Sequence, residues 1–254
     1  MSQNGYFWTP YIWTKEERKI KKSLLALKLF RVKQHTPMTL ALRRAYKEKK
    51  ISLKMLYNAL MYMESFHFIF NAITQQRSSG VISSFYTNLA ISLTESTLHS
   101  EVQIILNDLK QSWINNLPTY NEFKPGFSAL QFLNKKTRNK NLLKYILARF
   151  MNQNSTGVSV DFDSMTIEHI LPQSKGGSSQ DDYIGSIGNL ILIDTKTNSE
   201  ELNDSDFQTK KEILLNKNYP LDEYISKASC WGKNQINERT KLLTKEAYNK
   251  LWKI

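Results

Sequence analysis

The sequence predicts a mainly α protein with a small α+β part, on three observations. From about residue 14 to residue 152, apolar positions recur at helical spacing between recognisable caps, and Gly and Pro are sparse. From Asn152 the texture changes to polar loops around two short apolar runs, at about 164–170 and 189–193, which read as strands. After residue 205 helical spacing returns and persists to Ile254.

Each element has its own signal. Thr14-Lys15-Glu16-Glu17 has capping-box spacing and introduces Ile20, Leu24, Leu27 and Arg31 as one helical stripe. Thr36-Pro37 reads as an N-cap with proline at the first helical position, opening a helix toward Lys49. Ser52 is placed to cap a longer helix from Leu53 to about Ile73, with Leu56, Leu60, Met63 and Phe70 near one face. Further helices are expected at about 82–95, 98–116 and 140–152, packed as an antiparallel bundle. The polar run from Asn152 to Gly157 marks the expected boundary between a helical domain, 1–151, and a second domain, 152–254. In the second domain the loop at 172–187 is expected to have little structure of its own, and a loop that long is more often functional than filler. A short helix containing Asn198 follows the second strand, with Asp194 or Thr195 as its cap. Ser205-Asp206-Phe207-Gln208 has capping-box spacing before a helix carrying Lys210 and Lys211. The last helix shows Ile236, Leu243, Ala247 and Leu251 on one face, with Trp252 close to it.

Bulk properties narrow the class. At 254 residues and 41% hydrophobic content, the chain is long enough to bury a core, and no apolar run reaches membrane-spanning length. The first twenty residues lack the apolar centre of a secretory leader, so a cytoplasmic location is expected. One cysteine, Cys230, excludes internal disulfides and thiolate zinc clusters. The net charge of +12 is uneven: residues 1–150 hold 23 Lys+Arg against 8 Asp+Glu, and residues 151–254 hold 12 against 15. The basic half is therefore expected to hold a polyanion, by counterion release and without sequence preference. His35, His67 and His99 lack partners at metal-ligand spacing and read as core or surface residues. The aromatic segment with Tyr6, Phe7, Trp8, Tyr11 and Trp13 reads as a docking patch.

The chemistry concentrates in Thr166-Ile167-Glu168-His169-Ile170-Leu171-Pro172-Gln173-Ser174-Lys175-Gly176-Gly177, then Ile187-Gly188-Asn189-Leu190-Ile191-Leu192-Ile193, then Asn198. Hydrolysing a phosphodiester needs a base to deprotonate water and a cation to stabilise charge on the phosphate and the leaving oxygen. Histidine suits the first task near neutral pH, and carboxylate and amide oxygens suit a small hard cation. Neighbours on a regular strand point to opposite faces, so Glu168 and His169 share a site only where the strand ends or bends. Pro172 begins to break it.

This constellation resembles the HNH, or ββα-metal, nuclease motif. The resemblance implies that Glu168 and Asn198 are metal ligands, His169 is the general base, Asn189 orients it, and the cofactor is Mg²⁺ or Mn²⁺. The interval from Asn189 to Asn198 matches the HNN variant found in the HNH domain of RNA-guided CRISPR nucleases. The first ligand is Glu where Asp is commoner, and the zinc-stapling CxxC pairs of many HNH domains are missing. Farther on, Phe207 followed by Lys210-Lys211, Trp231 followed by Ile236 and Arg239, and the terminal Trp252 resemble the C-terminal nuclease half of the GmrSD-type restriction family. That likeness covers about residues 20–254, strong in 164–200 and loose before 150. It implies a DNA endonuclease effector of a bacterial or phage defence system, whose sensing would come from an upstream ParB-like, nucleotide-using domain or subunit that nothing in this chain resembles. Lys210, Lys211 and Arg239 are the candidate phosphate contacts near the site. Two other readings stay open: a nuclease-inactive DNA-binding or assembly module, and an HNH nuclease acting on RNA.

Overall fold

A computed structural model describes residues 14, 16–76, 80–133, 139–154, 164–175, 182–202 and 204–254. Tyr6 to Trp13, most of the polar run after Asn154, and the Gly176-Gly177 pair lie outside them. The chain divides into two compact units, Met1–Leu117 with Ile254, and Pro118–Lys253.

The first unit is helical: α1 (Arg18–Leu29), α2 (Thr36–Lys47), α3 (Leu53–His67, running on through a π turn to Ile73), α4 (Gly80–Glu95) and α5 (His99–Asn115). The capping box before α1 forms, with Thr14 N–H donating to Glu17 and Glu17 N–H to Thr14 Oγ1, both at 3.2 Å. Ser52 Oγ accepts from Met55 N–H at the start of α3. Two expectations shift. Thr36 is already helical, with His35 in the cap position, so Pro37 sits one place further in. Arg31 lies beyond the end of α1, exposed and at φ 59°, outside the stripe of Ile20, Leu24 and Leu27 that faces the core. That core is aliphatic and aromatic, built on Leu27, Met38, Leu42, Leu60, Met63 and Leu109. One polar chain crosses it: Trp113 Nε1 donates to Tyr86 Oη (2.8 Å), Tyr86 Oη bonds His67 Nε2 (2.8 Å), and His67 Nδ1 bonds Asn71 Oδ1 (2.6 Å).

The second unit begins with α6 (Tyr120–Ser128), where no helix is expected. Its signal is Thr119 with Glu122, a capping box that forms in full despite Pro125 farther along. Then come α7 (Lys140–Asn154), β1 (Met165–His169), β2 (Leu190–Asp194), a π-helical turn (Thr197–Leu202), α8 (Phe207–Asn216), α9 (Glu223–Lys227) and α10 (Lys233–Glu246), which continues through Ala247–Leu251. The two strands pair antiparallel in one sheet, Met165 opposite Asp194 and His169 opposite Leu190. Among the described residues the fold is thus mostly helical with one two-stranded sheet, as the sequence pattern predicts. Asp206 rather than Ser205 caps α8, accepting from Gln208 and Thr209 N–H. The loop between the strands carries more structure than expected: Gln173–Lys175, Asp182–Gly185 and Ile187–Asn189 are 3-10 turns.

The division between compact units falls at Leu117/Pro118. The reason is packing, since α7 lies on β2 and α6 on α10, which ties residues 118–154 to the sheet. Charge is redistributed with the boundary. Residues 118–150 hold 7 Lys+Arg and 1 Asp+Glu, so the unit containing the candidate site is net basic rather than acidic. No described helix is long and apolar enough to cross a membrane.

Candidate active site

The end of β1 and the start of β2 build the site. β1 stops at His169, and the chain bends at Ile170 and Leu171. Thr166 and Glu168 share one face of the strand, and the bend lets His169 face the same cleft, of about 440 Å³. Across it stand Gln173, Thr195, Asn198, Asp204 and Lys210. Glu168, His169 and Asn198, separate in sequence roles, therefore line one cavity.

His169 is buried, and its ring is held more tightly on one side than on the other. Nε2 lies 2.8 Å from the carbonyl oxygen of Phe132, and the two rings stack at 5.7 Å. A carbonyl only accepts, so Nε2 carries the proton and Nδ1 keeps its lone pair. The Gln173 amide donates toward that lone pair from 3.3 Å. Burial lowers the pKa of His169, helped by the Lys210 ammonium and opposed by the bond to Phe132, so the neutral ring is favoured. Phe132 reaches the ring because residues 130–132 pair with the loop before β2: Phe132 N–H donates to Gly185 O and Ile187 N–H to Leu130 O. No local pattern joins that segment, from the helical stretch, to the site.

Asn189 is fully buried, and its side chain bonds the stretch after His169 rather than the ring itself. Its Oδ1 accepts from Leu171 N–H (2.8 Å) and Trp231 Nε1–H (3.0 Å), while Nδ2 donates to Leu171 O (2.9 Å) and Ile184 O (2.8 Å). Those four bonds occupy the amide, which fixes the bend after His169 and not its ring. Arg239 completes the clamp. It is buried, bonds Asp222 through Nε, and through one terminal nitrogen donates to Gly188 O (2.7 Å) and Leu190 O (3.0 Å). A Cβ on Gly188 would lie 2.1 Å from Ile236 O of α10, so only glycine lets the helix approach this closely.

Asn198 sits in the π-helical turn after β2. Asp194 caps that turn by accepting from Thr197 N–H at 2.8 Å, as expected, and is itself bonded by the Tyr219 hydroxyl. The Asn198 side chain is half-buried and makes no hydrogen bond among the described residues. Lys210 is wholly buried, its Nζ donating to Glu168 Oε1 and to His169 O (2.9 Å). Lys211 donates to Ala228 O at 2.9 Å. All three cations expected to reach phosphate thus serve internal bonds: Arg239 as a loop clamp, Lys211 on a carbonyl, Lys210 on Glu168.

A family model for the C-terminal domain of GmrSD restriction endonucleases matches residues 118–246. The chain belongs to this family. No curated protein is matched. The GmrSD match starts at Pro118, the first residue of the second unit, so it includes Phe132 as well as the strand-loop-strand core. Restriction endonuclease action, hence hydrolysis of DNA, is the role this GmrSD domain carries. Its Phe207 and Trp231 rings stack at 5.2 Å, which joins α8, bearing Lys210, to the Asn189 clamp. Asp204 and the Phe132 carbonyl are site features that no motif named in advance, and Gln173 lies in the motif without a role assigned to it. The described residues hold no cluster of three His, Cys, Asp or Glu side chains suited to a metal.

Proposed function

We propose that residues 118–253 form an HNH-type nuclease that cuts DNA with Mg²⁺ or Mn²⁺, with His169 as general base and Glu168 and Asn198 as metal ligands. The observation that carries it is the His169 ring: proton fixed on Nε2 by a backbone carbonyl, lone pair on Nδ1 in the cleft shared with Glu168 and Asn198. The donor set fits a small hard cation. Glu168 Oε2 and the Asn198 amide have no protein partner among the described residues, and both are oxygen donors. When bound, the cation would stabilise charge on the phosphate and the leaving oxygen. His169 Nδ1 takes a proton from a water as that water attacks phosphorus, and the P–O3′ bond breaks. Asn189, Trp231 and Arg239 hold the backbone that aims the ring. Recognition would come from a partner: an upstream sensor domain or subunit, with the basic helical unit binding nucleic acid by charge.

The test is cleavage of plasmid DNA with and without Mg²⁺ or Mn²⁺, beside a His169→Ala control and an RNA of matched length. Metal-dependent nicking lost in the control supports the reading. Metal-independent cleavage, or a control as active as the parent, would overturn it, and cutting of RNA alone would move the substrate.

A further inference from the structure

We infer that Lys210 is a positioning residue that makes cation binding depend on DNA binding, an inference that rests on the proposed metal site. The ammonium is buried and has two acceptors, Glu168 Oε1 and the His169 carbonyl. A lysine buried to this degree needs such partners, since burying a charge without them is strongly unfavourable. Its placement has two effects on the cleft. One Glu168 oxygen is committed to the ammonium, so the carboxylate offers a cation only Oε2. The positive charge also offsets the Glu168 charge where a dication would have to settle. Among the described residues lining the cleft the one other carboxylate is Asp204, at the exposed rim; the oxygens of Asn198, Thr166, Gln173, Ser174, Thr195 and Ser199 are neutral. A dication entering the DNA-free cleft meets little negative charge and a fixed positive neighbour. With a phosphodiester present, its anionic oxygens add the missing charge and further ligands. Lys210 therefore keeps the site weak for a free cation and stronger for a cation arriving with substrate. It also holds the β1 end at His169, so the same residue fixes the strand from which both functional side chains project.

Linkage makes this measurable, because DNA must strengthen cation binding by the same factor as the cation strengthens DNA binding. The experiment follows Mn²⁺ binding by electron paramagnetic resonance in the full chain carrying His169→Ala, which slows cleavage, with and without a short DNA duplex. Mn²⁺ affinity should rise with DNA by about 5–150-fold, the usual range of such couplings, and DNA affinity should rise equally with Mn²⁺. In Lys210→Met, DNA-free Mn²⁺ affinity should increase and the coupling should shrink toward one; Lys210→Arg should retain it. Lys210→Gln removes the charge while keeping a donor, and decides the matter if Lys210→Met does not fold. Equal Mn²⁺ affinity with and without DNA in the Lys210 protein, or a coupling unchanged in the folded Met or Gln variant, overturns the inference. Glu168→Gln separates the two readings: Mn²⁺ binding that survives it defeats the metal site itself, whatever Lys210 does.

Discussion

His67 in the first unit and His169 in the second are both buried, and burial lowers the pKa of both. Their surroundings differ in one respect that decides what each does. His67 has both nitrogens in strong bonds, to Asn71 and Tyr86, inside a network closed by Trp113. Its pKa falls to about 3, and its side chain is wholly buried. His169 has one nitrogen fixed by a carbonyl at 2.8 Å and the other, in a longer 3.3 Å bond from the Gln173 amide, turned to a cleft beside a carboxylate and an amide. Burial and a lowered pKa therefore do not mark a base. A fixed tautomer with an accessible lone pair does.

Exchanging each histidine for alanine should separate the two roles most widely. His169→Ala is expected to reduce cleavage by about 10²–10⁴ with a modest change in urea midpoint. His67→Ala should reverse that pattern: roughly 2–5 kcal/mol lost from the first unit, through a cavity and unpaired polar partners, with cleavage per folded molecule little changed. If both variants lose stability and activity in the same proportion, the distinction between the two histidines is wrong.

The next effect concerns the clamp. Asn189→Ala strips partners from Leu171 N–H, Leu171 O, Ile184 O and Trp231 Nε1–H. Each buried group left unsatisfied costs about 1–3 kcal/mol, so a loss of several kcal/mol is expected. Turnover should fall because the bend after His169 loosens, while Mn²⁺ affinity, which depends on Glu168 and Asn198, should hold. A variant that is destabilised but turns over normally when folded would show that the bend does not aim the ring.

Acid should act on the first unit through His35 and His67, whose folded pKa values are about 4 and about 3, both lowered mainly by burial. Above pH 6.5 both are neutral in either state and contribute no pH dependence. Below it, the unfolded chain takes up protons that the folded unit resists, so stability falls by about 1.4 kcal/mol per pH unit for each histidine until its folded value is reached. Urea midpoints at pH 7 and pH 5 measure it, and His67→Phe should remove part of the difference. A flat profile between those two values would mean that the histidines are not buried neutral.

The sequence made much of this readable where the signal is local. Caps at Thr14 and Ser52, the two strands and Asp194 before the Asn198 turn follow from short-range patterns, whereas the joining of Glu168, His169 and Asn198 on one cleft is what the family resemblance implies. What could not be read depends on contacts distant in sequence. Arg239 and Lys211 look like helix-surface cations, and only folding reveals the carbonyls that accept their hydrogen bonds. The division at Leu117/Pro118 has no local signal for the same reason, because a polar run after α7 marks a connection but not which elements that helix packs on. Phe132 is the extreme case, since its functional atom is a main-chain oxygen that no residue type specifies.

That point gives the smallest expected effect. Phe132 contributes two things to His169: a carbonyl that fixes the tautomer, and a ring stacked at 5.7 Å with a 20° interplanar angle. Phe132→Leu keeps the carbonyl and most of the buried apolar volume while removing the ring. Aromatic pairs are worth about 0.5–1.5 kcal/mol beyond their area, so stability should fall by about that amount. Because Nε2–H still meets its acceptor, the lone pair on Nδ1 stays in the cleft, and the cleavage rate should remain within about tenfold of the parent, the factor that such an energy spans. The pH dependence of cleavage should keep its shape, with the acid limb below the ordinary histidine range, since burial is the main cause of the lowered pKa. A drop as deep as that of His169→Ala would show instead that the stacked ring, and not the backbone, holds the base in place.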